Sequence, residues 1–511
     1  MNKPVTALQC LAASMLIATG AVFAQQPKPI PDLAPGFKHP YWIVAFSNVA
    51  MAARDAGTVT ATFDVDWGQY DSYSWRNAIN HDALWVFFKA RADEKSPWQH
   101  VRLAADKVLN PSGYGQLMTA PRVVTNAAAA PLSKASLSAQ RKGGSESPPD
   151  IFAFDKDGAD AVPYTALEFV VPDGDDGFTG VFLRRAETGY GRIAARRVTV
   201  LLDAGSVADI PDLSKTQLYP LGVQMVYIPA GPFYLGGVGS EVGAFHQWTD
   251  ATRHDQPYRV TGPGAIPTGR QPGKLWMRRY GGAFEEGGEI PASFPNGYEA
   301  FYCMATHILP EQYTVFMNML TPEQAEARYA PVAVERLGQA PNYTYSGNYV
   351  SPRVGPGCKG LSWADGAAWA AWAGLRPMTE LEMEKVVRGV REPRAEEVGE
   401  SFWRVTGYGT WDWDSFKGHN NSSDRPVTVG HPKGRLFKGT HGRGTLELPA
   451  DWPQADAVGA GLRCCWYSPG KGLDLQRARL ADRLYAAVVD PSRCEHHRWR
   501  GVRTVPKEAA P

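Results

Sequence analysis

The sequence predicts an α+β protein whose first half is a β-sandwich and whose second half combines short strands with a few helices. Its 511 residues are too many for one hydrophobic core, so we expect two domains. The chain contains 52 Gly, 40 Pro, 16 Trp and 21 Tyr residues, a composition that favours turns, loops and β structure over helical bundles. Short apolar runs in the first half and two capped helices in the second indicate the same class.

The strand patterns of the first domain lie within residues 39–206. Residues 58–67 (TVTATFDVDW) alternate apolar and polar side chains, as a half-buried strand does, whereas residues 83–92 (ALWVFFKARA) form the apolar run of a buried strand. The later runs ALEFVVP, GVFLRR and RRVTVLLDAG have similar lengths. These patterns predict a β-sandwich, joined by a polar linker at 207–218 to a second domain at 219–511.

Two helix starts and two helix ends lie within residues 358–389. Each start is a capping box, formed by Ser362 with Asp365 and by Thr379 with Glu382. Gly374 ends the first helix, and Pro377 disfavours one continuous helix. Trp369 and Trp372 share one face of the first helix, so we expect that face to pack against a sheet.

The first 24 residues have the features of a secretory signal peptide. Lys3 precedes an apolar run, and Ala24 ends a small-residue pattern that fits a cleavage site. The run is short for a bilayer-spanning helix, and no later segment reaches that length. A Pro-rich lead-in follows at 25–38. We therefore expect an exported protein, periplasmic or extracellular, with no membrane-spanning segment.

Charge and cysteine content limit the partners. The chain has 53 Lys and Arg against 52 Asp and Glu, without a dense basic cluster, so nucleic acid is not an expected partner. Cleavage would remove Cys10 and leave five of the six cysteines, an odd number for an oxidising compartment. Cys303 and Cys358 are candidates for a disulfide, although the sequence leaves the connectivity open.

Five blocks in the second half resemble, in order, the formylglycine-generating enzyme or sulfatase-modifying factor family. They are MVYIPAGPFYLGG, ILPEQYTVFMN, LSWADGAAWAAWAGLRPMTELEMEKVVRG, GLRCCWYSP and RWRGVRTV, and they cover about residues 219–506. The resemblance implies a variant of the C-type-lectin-like fold for this part of the chain. The segment NHDALWVFFKAR looks like the amino-terminal domain of some exported bacterial members.

Active members of the family oxidise a sulfatase cysteine to formylglycine with a cysteine pair and bound copper. In this chain the corresponding block contains Arg463, Cys464, Cys465, Trp466 and Ser468. The positions of the two catalytic cysteines fall near Ser468 and Leu473, and the family's calcium-binding piece has no clear counterpart at 407–459. Copper and calcium are therefore cofactors that only the resemblance implies.

This departure favours a noncatalytic protein that binds a ligand or partner or serves as a scaffold. The alternative is an oxidase with a rearranged thiol site at Cys464 and Cys465, since adjacent thiolates suit Cu(I) or a vicinal disulfide. Adjacent side chains on a strand point to opposite faces, so we favour one thiol packing in the interior and the other pairing with Cys494. Cys494, His496 and His497 match no closed tetrahedral metal motif.

Further ligand-binding candidates lie in the long polar region after residue 400. They are Trp411, Asp412, Trp413, Asp414, His441 and Arg443, together with Arg463, Trp466 and Ser468 of the family block. Exposed loop aromatics often bind ligands, and paired carboxylates can serve acid–base chemistry or calcium. A solvated loop face and an ordinary loop histidine are the simpler interpretations. Trp403 belongs to the same aromatic group, whereas Trp363 is expected in the core; the expected ligand is an unidentified protein or carbohydrate.

Overall fold

The computed structural model describes residues 44–67, 74–104, 116–117, 167–170, 177–250, 256–277, 288–345, 358–395, 397, 401–403, 405, 432–454, 459–463, 467–468, 472–473, 479–486, 493 and 497–505. These residues are mostly β-strand, with four α-helices among them. A β-rich protein with few helices is therefore confirmed. None of the described helices is long and apolar enough to cross a bilayer. The predicted signal peptide and lead-in lie outside the described residues.

The strands of the first half include those predicted from the sequence. In chain order they are β1 (Val44–Ala53), β2 (Thr58–Trp67), β3 (Ser74–Arg76), β4 (Asp82–Arg91), β5 (Gln99–Val101), β6 (Gln116–Leu117), β7 (Leu167–Val170), β8 (Val181–Arg185), β9 (Gly189–Gly191) and β10 (Ile193–Asp203). The alternating run predicted at 58–67 is β2, and the apolar run predicted at 83–92 is β4, in which every residue except Arg91 is buried.

The second half contains short strands and the four helices. The strands are β11 (Gln217–Ile228), β12 (Phe233–Leu235), β13 (Phe245–Gln247), β14 (Tyr258–Val260), β15 (Ile266–Pro267), β16 (Leu275–Met277), β17 (Glu289–Ile290), β18 (Phe301–Met304), β19 (Val334–Arg336), β20 (Tyr343–Tyr345), β21 (Arg376–Pro377), β22 (Tyr467–Ser468), β23 (Gly472–Leu473) and β24 (Gly501–Thr504). The helices are α1 (Pro310–Asn318), α2 (Pro322–Arg328), α3 (Trp363–Trp372) and α4 (Glu380–Arg388).

Two sheets pack face to face in the first half. One has the order β1-β2-β10-β6, and the other, an eight-stranded sheet, includes β4, β8 and β7. Alternate side chains of β2 and β4 fill the space between the sheets, where the rings of Phe63 and Phe88 lie 5.7 Å apart. The first half thus contributes a layered sheet arrangement of the kind that its alternating pattern predicts.

The larger sheet continues into the second half of the chain. Its order is β21-β24-β18-β11-β4-β8-β7, with β5 also pairing with β4. Strand β11 begins at Gln217, inside the predicted linker, and pairs antiparallel with β4 from Gln217 opposite Arg91 to Val226 opposite Asp82. The region 207–218 therefore does not separate two independent sheets, because backbone hydrogen bonds run directly across the predicted boundary.

The helices cover both faces of this large sheet. On one face, the indole of Trp372 at the end of α3 meets Phe87 edge-on at 5.4 Å, as expected for the Trp face of that helix. On the other face, Met383 and Val386 of α4 pack with Val226 of β11 in a second apolar cluster. The sheet consequently separates two cores that each depend on one helix of the pair.

The capping boxes predicted for α3 and α4 are confirmed. Ser362 Oγ accepts from the Asp365 N–H at 3.2 Å, and the Asp365 carboxylate accepts from the Ser362 N–H at 3.0 Å. Thr379 and Glu382 make the same reciprocal pair at 3.1 and 3.0 Å. Gly374 adopts a φ of 71°, which a Cβ would disfavour. These local bonds fix where each helix begins and ends.

The suggested Cys303–Cys358 disulfide is wrong. Cys303 lies on β18 opposite Val226 and Val502, and its side chain belongs to the cluster that packs against α4. Cys358 belongs to the cluster on the other face of the sheet, and both thiols are buried without a bridge between them. Side chains alternate along β18, and Cys303 faces α4. Cys358 packs on the other side of the sheet, so the two sulfur atoms do not meet.

Close packing between α3 and the segment before β24 generates a stability prediction. A Cβ added at Gly366 in α3 would lie 2.0 Å from Cγ of Trp499. We expect Gly366→Ala to destabilise the protein by about 1–3 kcal/mol through overpacking. In a solvent-exposed helix, where no neighbour approaches the glycine, the same substitution would stabilise the protein by about 1 kcal/mol. Urea denaturation followed by circular dichroism measures the difference.

The control is Gly262→Ala, since a Cβ at Gly262 meets nothing within 4 Å. Its unfolding free energy should stay within about 0.5 kcal/mol of the wild type. A Gly366→Ala protein as stable as this control would contradict the close approach of Trp499.

Candidate functional site

Arg463, at the start of the block that resembles the family's catalytic region, is completely buried. Its Nη1 donates to Glu380 Oε2 at 2.6 Å, and its Nη2 donates to Glu384 Oε1 at 2.7 Å. The carbonyl groups of Asp482 and Leu480 accept from Nε and Nη2 at 3.2 and 2.9 Å. The guanidinium group is thus held by groups of the protein itself.

The carboxylates that hold Arg463 belong to a larger network on α4. Glu380 and Glu384 are four residues apart and share one face of the helix. Arg483 binds both oxygens of Glu380, at 2.8 and 2.9 Å, and the Gly236 N–H donates to Glu384 at 2.6 Å. Every one of these side chains is buried, so the network belongs to the interior.

A separate pair continues the pattern around α4. Glu382 lies between the two network glutamates in sequence and binds Arg376 of β21 through two bonds of 2.9 and 2.6 Å. Bidentate contacts of this kind fix the relative orientation of two planar groups. The pair therefore ties α4 to the sheet, while Glu380 and Glu384 tie it to the Arg463 block.

The residues that the resemblance places near the family's catalytic cysteines, Ser468 and Leu473, lie in two short antiparallel strands. Strand β22 pairs with β23, with Ser468 opposite Gly472 and Tyr467 opposite Leu473. Neither Ser468 nor Leu473 carries a thiol. Cys464, Cys465 and Trp466 lie outside the described residues.

His441 and Arg443 lie in a segment that docks on the end of α3. The Gly442 and Gly444 N–H groups donate to carbonyl groups of Leu375 and Ala371 at 2.8 and 2.9 Å. His441 is buried, and its Nε2 accepts from the Thr504 N–H of β24 at 3.0 Å.

Because the ring of His441 accepts that backbone hydrogen bond, its placement is that of a histidine that anchors a loop. Arg443 is exposed. The structure places Arg463 against α4 and His441 against β24, so the two candidates contact different elements.

Of the remaining candidates, Trp403 is buried, and several others lie outside the described residues. Trp403 is 3% exposed, and its indole N–H donates to the Lys385 carbonyl at 3.0 Å, so it packs in the interior and is not an exposed loop aromatic. His497 is buried, and its carbonyl accepts from the Gly360 N–H. The other residues lie outside the described residues: Trp411, Asp412, Trp413, Asp414, Cys494 and His496.

A row of polar side chains that the sequence analysis missed crosses one face of the large sheet. His81 Nε2 lies 3.1 Å from Tyr302 Oη and 3.4 Å from Arg184 Nη1, and its ring stacks on Tyr227 at 4.8 Å. Arg184 in turn donates to Glu168 at 2.7 Å. Residues from β7, β8, β11 and β18 therefore meet around a histidine that directly precedes β4.

Burial sets the protonation of this row. It lowers the pKa of His81 to about 2, with the charges of Arg184 and Arg76 adding to the effect, and it raises the pKa of Tyr302 to about 12. At neutral pH the imidazole is uncharged and accepts, while the phenol donates. Neither group exchanges a proton readily near pH 7, so the row binds strands together and is a poor acid–base pair.

Lys89 of β4 is a buried amine on the same face. Its Nζ donates to the Trp372 carbonyl at 2.9 Å and to the Gly444 carbonyl at 2.7 Å, and it lies 4.3 Å from the Trp372 ring centroid. Burial lowers its pKa well below the ordinary lysine value. The amine joins β4 to the end of α3, where backbone carbonyl groups favour a cation.

Glu311 in α1 is a buried acid whose contacts differ from those of the paired glutamates of α4. Neither carboxyl oxygen has a hydrogen-bond partner among the described residues. Burial raises its pKa to about 8, so the group is largely protonated at neutral pH. The nearby Cys358 thiol also has a raised pKa, because of burial and then the charge of Glu311.

The described residues offer little redox or metal chemistry. Within them, no three His, Cys, Asp or Glu side chains converge as a set of metal ligands. The buried arginines and glutamates of α4 satisfy one another. Around α4 the geometry is that of a buried, internally paired network.

Compared with known proteins, the chain matches no family model, and no curated sequence reaches significant similarity. The function is therefore inferred from the residues and their geometry.

The interior position of Arg463 predicts a large stability effect. Arg463→Met removes one cation and leaves Glu380 and Glu384 with fewer partners, so we expect a loss of about 3–5 kcal/mol in unfolding free energy. Thermal and urea denaturation measure it. The matched control is Arg192→Met, whose pair with Asp66 lies at the surface and should contribute no more than about 1 kcal/mol. Equal effects for the two variants would contradict the buried network.

Glu311 predicts a pH dependence with a defined sign. The folded carboxyl binds its proton up to about pH 8, whereas the unfolded carboxyl, with an ordinary pKa of 4.5, releases it earlier. The contribution of this group to stability is therefore greatest below pH 4.5 and falls as the pH rises to about 8. Relative to Glu311→Gln, the wild type should lose on the order of 3 kcal/mol between pH 5 and pH 8.

Urea denaturation at both pH values tests this difference. Other groups also titrate, so only the difference between variant and wild type is informative. Glu335→Gln, at an exposed glutamate, is the control and should follow the wild type. Parallel curves for wild type and Glu311→Gln would refute the burial of a protonated acid.

Proposed function

We propose that the chain is an exported, noncatalytic protein whose C-terminal part, residues 219–511, has the C-type-lectin-like fold of the formylglycine-generating enzyme family. In this proposal the part binds a ligand or partner protein or serves as a scaffold. The observation that carries it is the pair of residues at the catalytic positions, Ser468 and Leu473, because neither supplies the thiolate that the family's oxidation requires.

The contacts of Arg463 support the same proposal. An arginine that binds substrate keeps part of its guanidinium group accessible, whereas that of Arg463 is occupied by Glu380, Glu384 and two carbonyl groups. Arg463, at the start of the block that resembles the catalytic region, therefore packs in the interior, which supports a structural role for this residue. Capped helices packed on short strands agree with the proposed fold.

The alternative function is oxidation of a sulfatase cysteine at a rearranged site formed by Cys464 and Cys465. The two thiols directly follow Arg463, whose position is fixed by α4, and a thiolate pair is chemically suited to Cu(I). Copper and calcium come to this chain from the family resemblance alone. The noncatalytic function is preferred because the alternative requires the chemistry to move from the family's positions to new ones.

Mass spectrometry of a sulfatase-motif peptide decides between the two functions. The full-length protein is incubated with Cu(I), oxygen, reductant and the peptide, beside an active family member as positive control. We expect no conversion of the peptide cysteine to formylglycine. Conversion that disappears in Cys464→Ser or Cys465→Ser would overturn the proposal and establish the alternative.

A further inference from the structure

Two tryptophans in the second half stay partly accessible while the tryptophans of α3 are buried. Trp276 is the middle residue of β16, and Trp248 directly follows β13, its partner strand. Both are half-buried, and their ring centroids lie 6.5 Å apart with the planes at 86°. The guanidinium carbon of Arg270 lies 5.2 Å from the Trp276 centroid. We name Trp248, Trp276 and Arg270 the indole platform.

The backbone holds the indole platform rigidly. Trp276 pairs with His246 in the two-stranded sheet. The Trp248 N–H donates to the Lys274 carbonyl at 2.8 Å, and the Gly273 N–H donates to the Trp248 carbonyl at 2.9 Å. A ligand that stacks on these rings would not have to order them first, which lowers the entropic cost of binding.

The surroundings of the platform are open and polar. A Cβ added at Gly273 would meet nothing within 4 Å, so space remains beside the Trp248 backbone. Asp250, two residues after Trp248, and Gln271, in the loop before β16, are both exposed. Aromatic faces thus lie next to amide and carboxylate groups, which is a combination of apolar contact and hydrogen bonding.

We propose that the indole platform binds a neutral carbohydrate, with a pyranose ring stacking on the indole faces. The C–H bonds of a pyranose face carry partial positive charge and are attracted to the negative face of an aromatic ring. The hydroxyl groups at the rim of the sugar then pair with Asp250 and Gln271. This inference rests on the proposed binding function and adds the chemical class of the ligand.

The surface chemistry favours a sugar over a protein partner. The exposed large apolar residues of the described chain are Val238, Leu337, Val390 and Leu436, and none lies on β13, β16 or the loop at 268–274. A protein interface needs roughly 1,000 Å² or more and a tryptophan hot spot surrounded by groups that exclude water. Two rings among polar groups match the smaller footprint of one or two sugar rings.

Affinity electrophoresis tests this inference. The full-length protein is run in native gels containing amylose, hydroxyethylcellulose or glycol chitin, with a polymer-free gel as reference. At least one polymer should retard the wild type. Trp248→Ala and Trp276→Ala should each weaken that retardation about tenfold, as expected for an aromatic anchor. The absence of retardation in all three polymers would overturn the inference.

Trp98→Ala is the matched control. Trp98 is also half-buried beneath an arginine, with Arg91 4.6 Å from its ring, but it lies in the first half, and the ring beside it is Tyr219 and not a second tryptophan. It should keep full retardation, and an equal loss in this variant would refute a role for the platform. Near-ultraviolet circular dichroism and unfolding midpoints establish that each variant is folded. The outcome is separate from the formylglycine assay, which tests catalysis alone.

Discussion

The antiparallel pairing of β4 with β11 is the constraint on which the rest of the structure depends. Strand β4 is buried on both faces, because the smaller sheet covers one and α3 covers the other. Its nearly continuous apolar sequence suits that position. Burying a single large apolar side chain such as Phe87 contributes about 1.5–3 kcal/mol, so the strand anchors both layers. Besides Asp82 at its start, Lys89 is a buried polar residue of the strand, and its two carbonyl partners explain why it is tolerated there.

Buried charges determine how the second half is oriented on this sheet. Glu380 and Glu384 both bind Arg463, whereas Glu382 binds Arg376. Networks of this kind contribute little net stability compared with apolar packing, but removing one member leaves an uncompensated charge. The position of Arg463 is therefore fixed by Glu380 and Glu384, independently of any catalytic activity of the residues that follow it.

Local features of the fold could be predicted from the sequence, and long-range contacts could not. The Ser362 and Thr379 caps depend on side chains three residues apart, and the alternation in β2 depends on neighbours two apart. The proximity of His81 and Tyr302 depends on the register of strands that are distant in sequence. Sequence patterns do not determine such a register between strands.

Most of the missed or misplaced features share that cause. The predicted Cys303–Cys358 disulfide is wrong because Cys303 on β18 and Cys358 lie in cores on opposite sides of the sheet. Trp403 lies in a polar stretch of sequence, yet its indole is buried and donates a hydrogen bond to the Lys385 carbonyl. For the indole platform, the sequence places only Trp276 near the Gly and Pro of the 268–274 loop, and it does not show that Trp248 and Trp276 meet.

The internal position of β24 has a consequence for the order in which the protein folds. This strand lies between β18 and β21, although it comes from residues 501–504. During synthesis, β18 therefore keeps one edge unpaired until β24 has been synthesised. Contacts that close such long loops form slowly, and an unpaired edge invites wrong pairing in the meantime. Completion of the sheet that joins the two halves thus depends on β24, a strand near residue 500.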